Sequence, residues 1–142
     1  MKDLVNESVK FREAWRPFAP SCLAEEAGEY FEVESDAPFM ILTHRVRAEK
    51  RTVIPAVTHV DNTARLQTVR ERDNPRYWRL IREFARITGV PVVLNTSFNL
   101  RGEPIVCTPY DAFRTFYSSG LDYLALGDFV LAKDPAWKPA SS

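Results

Sequence analysis

The sequence contains few of the residues that build disulfide frameworks and transition-metal sites. Two cysteines occur in 142 residues, Cys22 and Cys107, and neither lies at a metal-ligand spacing. Such sparse cysteine is typical of reduced thiols in a cytosolic protein rather than of a small secreted domain. Two histidines, His44 and His59, are too few for a His-rich metal site within the chain. We therefore predict a cytoplasmic protein without a metal site formed by its own side chains.

The sequence also lacks net charge and long apolar runs. Nineteen basic residues balance nineteen acidic ones, so no whole-chain field favours nucleic acid or an anionic membrane as a partner. The N-terminal segment has no signal-peptide core, and no run approaches the roughly 20 apolar residues that span a bilayer. Hydrophobic residues make up 45% and charged residues 27%, as in ordinary globular proteins. We expect a single domain over residues 1–142, with a frayed tail at 135–142.

The most informative stretch is Gly89–Val106, with the sequence GVPVVLNTSFNLRGEPIV. Its apolar run over residues 90–94 is typical of a strand buried on both faces. The run stops at Asn95, and small polar side chains follow as far as Asn99. In open α/β sheets, ligands bind beyond the carboxyl ends of such strands, where polar side chains and free N–H groups converge on an anion. A polar turn leaving a core strand explains the same pattern equally well.

Local capping signals predict two longer helices. Asn74-Pro75 and Thr108-Pro109 each combine an N-cap residue with proline at the first helical position. The first helix should end at Gly89, and the second should cover about residues 109–118. The remaining predicted elements are a short helix over residues 22–31 capped by Ser21, a hairpin with strands near 39–46 and 51–57, and strands at 66–69, 123–126 and 129–132. This alternation predicts an α/β fold with a mixed β-sheet and flanking helices.

A basic segment near the N-terminus, Lys10-Phe11-Arg12, is a candidate anion-binding element. In an extended segment, Lys10 and Arg12 would point to one face and Phe11 to the other. Two cations projecting together suit an oligophosphate, because arginine offers a bidentate fork and lysine a point charge. For this segment alone, a solvated basic edge strand is the simpler interpretation.

A polar loop over residues 58–65 leads into the predicted strand at 66–69. Asn62 is a residue type that tolerates a left-handed turn. Arg65 lies one residue before the strand, where a rigid element would aim its side chain, although a surface salt bridge explains it equally well. His59 taken alone is more simply a hydrogen-bonded loop histidine than a general base.

Four segments together resemble a known family over nearly the whole chain: KFREAWRPFAPS, PAVTHVDNTARLQTV, TGVPVVLNTSFNLRGEPIVCTP and GLDYLALGDFVL. They look like the C-terminal domain of the O-carbamoyltransferases that modify antibiotics and nodulation factors. That domain is YrdC-like, and Lys10-x-Arg12 with Ser97-x-Asn99 is similar to the KxR…SxN signature of YrdC-like proteins. Two positions depart from the family pattern: Asn62 replaces the usual glycine, and Tyr110 stands where an acid is common.

The resemblance implies formation of carbamoyl-adenylate from carbamoyl phosphate and ATP, with Mg²⁺ brought by the ATP. By the same resemblance, the catalytic residues would be Lys10, Arg12, Arg65 and Ser97, and the substrate and nucleotide would contact Lys10, Arg12, His59, Arg65, Asn95, Ser97 and Asn99. Family members also carry an N-terminal actin-like-fold domain with a metal site, which passes the carbamoyl group to an acceptor hydroxyl. No segment of the 142 residues corresponds to that domain, so we expect it as a further domain or a separate subunit.

Two other functions remain open at this point. A related adenylate-forming enzyme makes threonylcarbamoyl-adenylate for tRNA modification, but a neutral chain gives no sign of an RNA-facing surface. A non-catalytic module that binds a nucleotide or a partner would keep the same fold. The intact KxR and SxN pairs argue against this second alternative.

Overall fold

The computed structural model describes residues 1–11, 13 and 15–137. These residues group into two compact units. The first, which we call the sheet unit, is Pro17–Thr96. The second, which we call the hairpin unit, combines Asp3–Arg16 with the segment that begins at Ser97.

The secondary structure alternates short strands with helices. In chain order the strands are β1 (Ala19–Leu23), β2 (His44–Arg45), β3 (Thr63–Ala64), β4 (Gln67–Val69), β5 (Val92–Asn95), β6 (Tyr123–Leu126) and β7 (Phe129–Ala132). The α-helices are α1 (Lys2–Val5), α2 (Ala27–Tyr30), α3 (Pro75–Thr88) and α4 (Pro109–Tyr117). Single 3₁₀ turns cover Ala24–Glu26, Ala48–Lys50 and Pro55–Val57, and a π-helical turn covers Asn6–Lys10.

A mixed three-stranded sheet forms the centre of the sheet unit. Its middle strand β1 runs parallel to β4 and antiparallel to β5. All five residues of β1 are buried, and the strand is hydrogen-bonded on both edges. Helix α3 packs Trp78 and Ile81 against Leu23 and Val69. The predicted α/β fold with a mixed sheet is therefore confirmed.

The predicted helix over residues 22–31 is confirmed only in part, because its first two residues belong to β1, and a 3₁₀ turn precedes the α-helix. Only Ala27–Tyr30 is α-helical. Ser21 does not cap a helix: it is fully buried, and its hydroxyl donates to Gln67 Oε1 at 2.7 Å. Pairing of β1 on both edges thus overrides the local capping signal.

The predicted hairpin of strands near 39–46 and 51–57 is also wrong. The two-residue strand β2 pairs with β3 instead. Residues 51–57 form turns, in which the Lys50 carbonyl accepts from the amides of Val53 and Ile54. Pro55 lacks an N–H group for a strand ladder and begins a 3₁₀ turn.

Both predicted longer helices are confirmed. The Asn74 side chain accepts from the Tyr77 amide at the start of α3, and Gly89 ends that helix at a φ of 75°. At the start of α4, the Thr108 and Asp111 side chains each accept from the other residue's backbone N–H, which forms a capping box.

The hairpin unit places α4 on an antiparallel hairpin of β6 and β7, whose bounds agree with the strands predicted at 123–126 and 129–132. Gly127 occupies the tight turn at a φ of 61°. Ala112, Phe116 and Leu124 form a buried hydrophobic cluster in the hairpin unit. No helix in the described part of the chain has both the length and the apolar character of a membrane span. The predicted frayed tail includes residues 138–142, which lie outside the described residues.

The Lys10 segment does not adopt the extended conformation that the sequence predicts. The π-helical turn runs as far as Lys10, and Phe11 follows it at a φ of 47°, in the left-handed region. The Phe11 amide donates to the Asn6 carbonyl, which closes the turn. Arg12 lies outside the described residues, so the shared face of Lys10 and Arg12 stays a prediction.

Candidate functional site

The hairpin unit brings Lys10 together with Ser97 and Asn99. The ammonium group of Lys10 donates to Asn99 Oδ1 at 2.8 Å, to the Asn99 carbonyl at 3.1 Å and to Ser97 Oγ at 3.3 Å. It also donates to the Ser97 carbonyl. Lys10 is only 6% exposed, so these oxygens replace the water that would otherwise solvate its charge. A lysine and an SxN pair separated by almost ninety residues thus form one hydrogen-bonded cluster.

The loop that follows β5 is shaped by its own side chains. Ser97 Oγ donates to Asn99 Oδ1 at 2.7 Å, and Asn99 Nδ2 donates to the Glu103 carbonyl at 2.8 Å. The Glu103 amide donates back to the Leu100 carbonyl at 3.2 Å. Gly102 sits in this turn at a φ of 78°, a conformation that favours glycine. The Asn99 amide group therefore links the Lys10 cluster to the turn.

A cavity of about 210 Å³ opens beside the Lys10 cluster. It is lined by Lys10, Glu13, Arg16, Ser97, Asn99, Leu100, Arg101 and Gly102. Three cations and one carboxylate leave the lining positive, and Glu13 already pairs with Arg16 at 3.3 Å. Arg101 Nη1 donates to the Phe11 carbonyl at 3.3 Å. Such a lining suits an anion with several oxygens.

The segment that carries Lys10 is held at two other points. Asn6 is fully buried, and its Nδ2 donates to the Arg16 carbonyl at 3.1 Å. The Ser8 carbonyl accepts from the Gly120 amide at 2.6 Å. The second bond ties the π-helical turn that carries Lys10 to Gly120, and the first joins the start of that turn to Arg16.

In the sheet unit, His59 lies in a tight loop between Thr58 and Thr63. The His59 amide donates to the Thr63 carbonyl at 2.8 Å, and the Asn62 amide donates to the His59 carbonyl at 3.0 Å. Asn62 has a φ of 64°, which confirms the predicted left-handed turn. His59 Nδ1 lies 3.3 Å from Thr63 Oγ1. His59 is therefore a hydrogen-bonded loop histidine, as the sequence predicts.

The imidazole of His59 favours its neutral form. Partial burial lowers the pKa of His59 from its ordinary value, and the positive charge of Arg65 acts in the same direction. Asp61 opposes both effects. Arg65 is exposed, and no described residue forms a hydrogen bond or ion pair with its side chain. The donors of its guanidinium are therefore not engaged by any described residue.

Asn95 belongs to a polar network across the three-stranded sheet of β4, β1 and β5. Its Nδ2 donates to Ser21 Oγ at 2.8 Å and to Gln67 Oε1 at 2.9 Å. Gln67 Nε2 in turn donates to the Pro38 carbonyl at 3.2 Å. These contacts give the Asn95 amide nitrogen a structural role at the end of β5.

A family model described as "Carbamoyltransferase C-terminus" matches residues 1–133 of this chain. The chain belongs to the carbamoyltransferase family. The resemblance based on the four sequence segments is thereby confirmed, and the chain corresponds to the C-terminal part of a carbamoyltransferase.

Similar proteins include members from several bacteria. The carbamoyltransferase domain is 50% identical to nodulation protein NolO of Bradyrhizobium diazoefficiens, over 95% of this chain and 25% of NolO. It is 40% identical to the 3'-hydroxymethylcephem-O-carbamoyltransferase of Amycolatopsis lactamdurans, over 89% of this chain and 24% of that protein. An uncharacterised protein of Synechocystis is 47% identical over 94% of this chain and 25% of its own length. The chain thus spans about a quarter of the length of these relatives.

Sequence reasoning missed four residues that the carbamoyltransferase domain places at these clusters. Arg16 and Arg101 line the cavity beside Lys10, and Ser21 and Gln67 hold Asn95. Arg101 could have been found from its position before Gly102 in the turn of the signature stretch. Ser21 could have been found as a polar residue within a buried strand, had that segment been predicted as a strand.

Proposed function

We propose that this carbamoyltransferase domain forms carbamoyl-adenylate from carbamoyl phosphate and ATP. The observation that supports this most directly is the buried Lys10 ammonium, held by Ser97 and Asn99 beside a cavity lined with cations. Family membership adds that one relative is named as an O-carbamoyltransferase. A site for phosphate groups in a carbamoyltransferase is what the proposed reaction requires.

The proposed reaction has two balanced steps. Water cleaves carbamoyl phosphate into carbamate and phosphate. A carbamate oxygen then forms a bond to the α-phosphorus of ATP, and the bond from that phosphorus to pyrophosphate breaks. Catalysis of such transfers rests mainly on positioning and on neutralising charge around phosphorus. Mg²⁺ would enter with the ATP, because it binds largely through phosphates and water.

The proposed roles follow from the chemistry of each side chain. Lys10 and Arg12 would supply positive charge near the phosphates, and Arg65 would supply a guanidinium fork. Ser97 and Asn99 would orient the ammonium of Lys10, and a neutral His59 would contact a phosphate or carbamate oxygen. For Asn95 we retain a role at the nucleotide, with its amide nitrogen already engaged in the sheet.

The size of the cavity bears on which part of the nucleotide it would take. Pockets for whole small-molecule ligands usually measure about 300 to 1,000 Å³, whereas this cavity measures about 210 Å³. We therefore assign the phosphate part of ATP or carbamoyl phosphate to the cavity, with the adenosine outside it.

Transfer to an acceptor hydroxyl would need polypeptide beyond this chain. The chain spans about a quarter of the length of its relatives, and we propose that an actin-like-fold domain with a metal site completes the reaction. That domain would be either part of the same polypeptide or a separate subunit. The isolated chain should therefore not carbamoylate an acceptor.

The experiment follows pyrophosphate release by the purified chain with ATP, Mg²⁺ and carbamoyl phosphate, and with each component omitted in turn. We expect release only when all three are present. Arg65→Ala should lower the rate about 100-fold or more, and Arg65→Lys should also be impaired because a point charge cannot replace the fork. Arg45→Ala, an exposed arginine on β2 in the same unit, is the matched control and should leave the rate unchanged.

Other outcomes would point to the other functions. Nucleotide binding without pyrophosphate release would favour a non-catalytic module. Release that depends on threonine and bicarbonate rather than carbamoyl phosphate would favour a threonylcarbamoyl-adenylate synthase. If the Arg65→Ala variant released pyrophosphate as fast as the unaltered chain, the role assigned to Arg65 would be wrong.

A further inference from the structure

We infer that Arg101 is the guanidinium that contacts the phosphate group bound in the cavity, while Lys10 chiefly shapes the cavity and supplies positive charge. This inference rests on the proposed function, because it names a ligand contact within the same site. The ligand class is an inorganic or nucleotide oligophosphate. Neither the KxR nor the SxN signature contains Arg101.

The polar groups of the Lys10 cluster are largely engaged with one another. The Lys10 ammonium carries three N–H donors, and oxygens of Ser97 and Asn99 surround it at up to 3.3 Å. The Ser97 hydroxyl donates to Asn99 Oδ1, and the Asn99 amide donates to the Glu103 carbonyl. A ligand would have to break this cluster to gain direct bonds from it.

Arg101 differs from these residues because most of its donors are uncommitted. Its side chain is exposed and lines the cavity, and among the described residues its one acceptor is the Phe11 carbonyl, at 3.3 Å. No carboxylate among the described residues forms an ion pair with Arg101, whereas Arg16 is paired with Glu13. A guanidinium has five N–H donors in a planar fork that matches a phosphate.

The backbone of Arg101 is well positioned for this role. Arg101 lies in the turn between Leu100 and Glu103, which Gly102 allows and which Asn99 Nδ2 fastens through the Glu103 carbonyl. The same asparagine therefore holds both Lys10 and the turn that carries Arg101. Exchange of one long bond to the Phe11 carbonyl for two bonds to a phosphate would leave the turn in place.

The experiment measures binding of inorganic pyrophosphate to the full 142-residue chain by titration calorimetry at constant ionic strength. Arg101→Ala should weaken binding about 10- to 100-fold, the usual effect of losing charge-assisted hydrogen bonds. Arg101→Lys should retain part of the affinity. Arg114→Ala is the matched control, since Arg114 is an exposed arginine of the same unit whose ion pair to Glu103 spans 3.8 Å. The Arg114→Ala variant should bind pyrophosphate within twofold of the unaltered chain.

Three results would overturn the inference, and they differ in what they say of the proposed function. Full affinity in Arg101→Ala, with binding lost in Lys10→Ala, would overturn the Arg101 contact and leave the proposed function standing. Equal losses in Arg101→Ala and Arg114→Ala would show a general effect of charge rather than a contact. Absence of pyrophosphate binding by the unaltered chain would count against both. Circular dichroism checks folding, and Arg101→Gln replaces Arg101→Ala if the alanine variant unfolds.

Discussion

Removal of the Asn99 side chain should destabilise the hairpin unit, because this side chain joins three partners. That side chain accepts from the Lys10 ammonium at 2.8 Å and from Ser97 Oγ at 2.7 Å, and it donates to the Glu103 carbonyl at 2.8 Å. Asn99→Ala removes all three bonds at once. It also leaves the buried Lys10 ammonium with fewer oxygens around it.

The expected size follows from the kinds of bond that are lost. A neutral hydrogen bond contributes roughly 0.5 to 1.5 kcal/mol, and one to a charged group about 1.5 to 3 kcal/mol. Because Asn99 is only partly buried, water can replace some of these partners, and we expect a loss of about 2 to 4 kcal/mol. Asn99→Asp keeps the oxygens that face Lys10 and Ser97 but loses the donor to Glu103, so its loss should be nearer about 1 kcal/mol.

The assay is urea unfolding followed by circular dichroism, with extrapolation of the free energy of unfolding to water. The control is Asn62→Gly, because Asn62 has a left-handed backbone that glycine also adopts, and its change should stay within about 0.5 kcal/mol. If Asn99→Ala were as stable as this control, the Lys10 cluster would not hold the hairpin unit together and our reasoning would be wrong.

Three further predictions concern single residues. Gly120→Ala would place a Cβ atom 2.6 Å from the Ser8 Cβ, so the free energy of unfolding should fall by about 1 to 3 kcal/mol. An unchanged urea midpoint would contradict the close approach. Thr108→Ala removes half of the capping box of α4 and should lower the free energy of unfolding by about 1 kcal/mol in the same assay. An unchanged free energy of unfolding would mean that the cap is dispensable. Burial lowers the pKa of His59 below 6.5. The contribution of neutral His59 to stability is therefore complete above pH 6.5 and is lost as the pH falls through the folded-state pKa. A His59 titration midpoint at or above pH 6.5, measured by NMR, would refute this.

The two longer helices could be predicted because their signals are local. Asn74 caps α3 through a bond to the amide of Tyr77, three residues away, and Gly89 ends the helix through its own backbone conformation. Thr108 and Asp111 form the capping box that begins α4. Each of these signals lies within one turn of the helix end, so no knowledge of the tertiary structure is needed.

Strand β1 could not be predicted because its conformation is fixed by residues far along the chain. Ser21 carries the capping signal of a helix start, yet it pairs with Gln67 on one side and Val93 on the other. Both partners lie more than forty residues away in the sequence. Strand pairing and burial outweigh a cap worth about 1 kcal/mol.

The proximity of Lys10 to Ser97 and Asn99 was predictable from the sequence, but the geometry of their cluster was not. The pairing of Lys10 with Ser97 and Asn99 agrees with the signature. The π-helical turn before Lys10 and the left-handed Phe11 have no sequence signal that separates them from a strand. Arg101 was missed for a related reason, since the cavity forms where Lys10, Glu13 and Arg16 lie beside the loop that carries Ser97 and Arg101.

The central claim is that this chain joins carbamate to the α-phosphate of ATP, and direct detection of the product tests it most sharply. The purified chain is mixed with ATP, Mg²⁺ and carbamoyl phosphate, quenched rapidly and analysed by mass spectrometry. We predict carbamoyl-adenylate in amounts that match the pyrophosphate released, with a steep loss in Arg65→Ala. ATP consumed to ADP and phosphate, or no carbamoyl-adenylate at any quench time in a folded chain, would contradict the account.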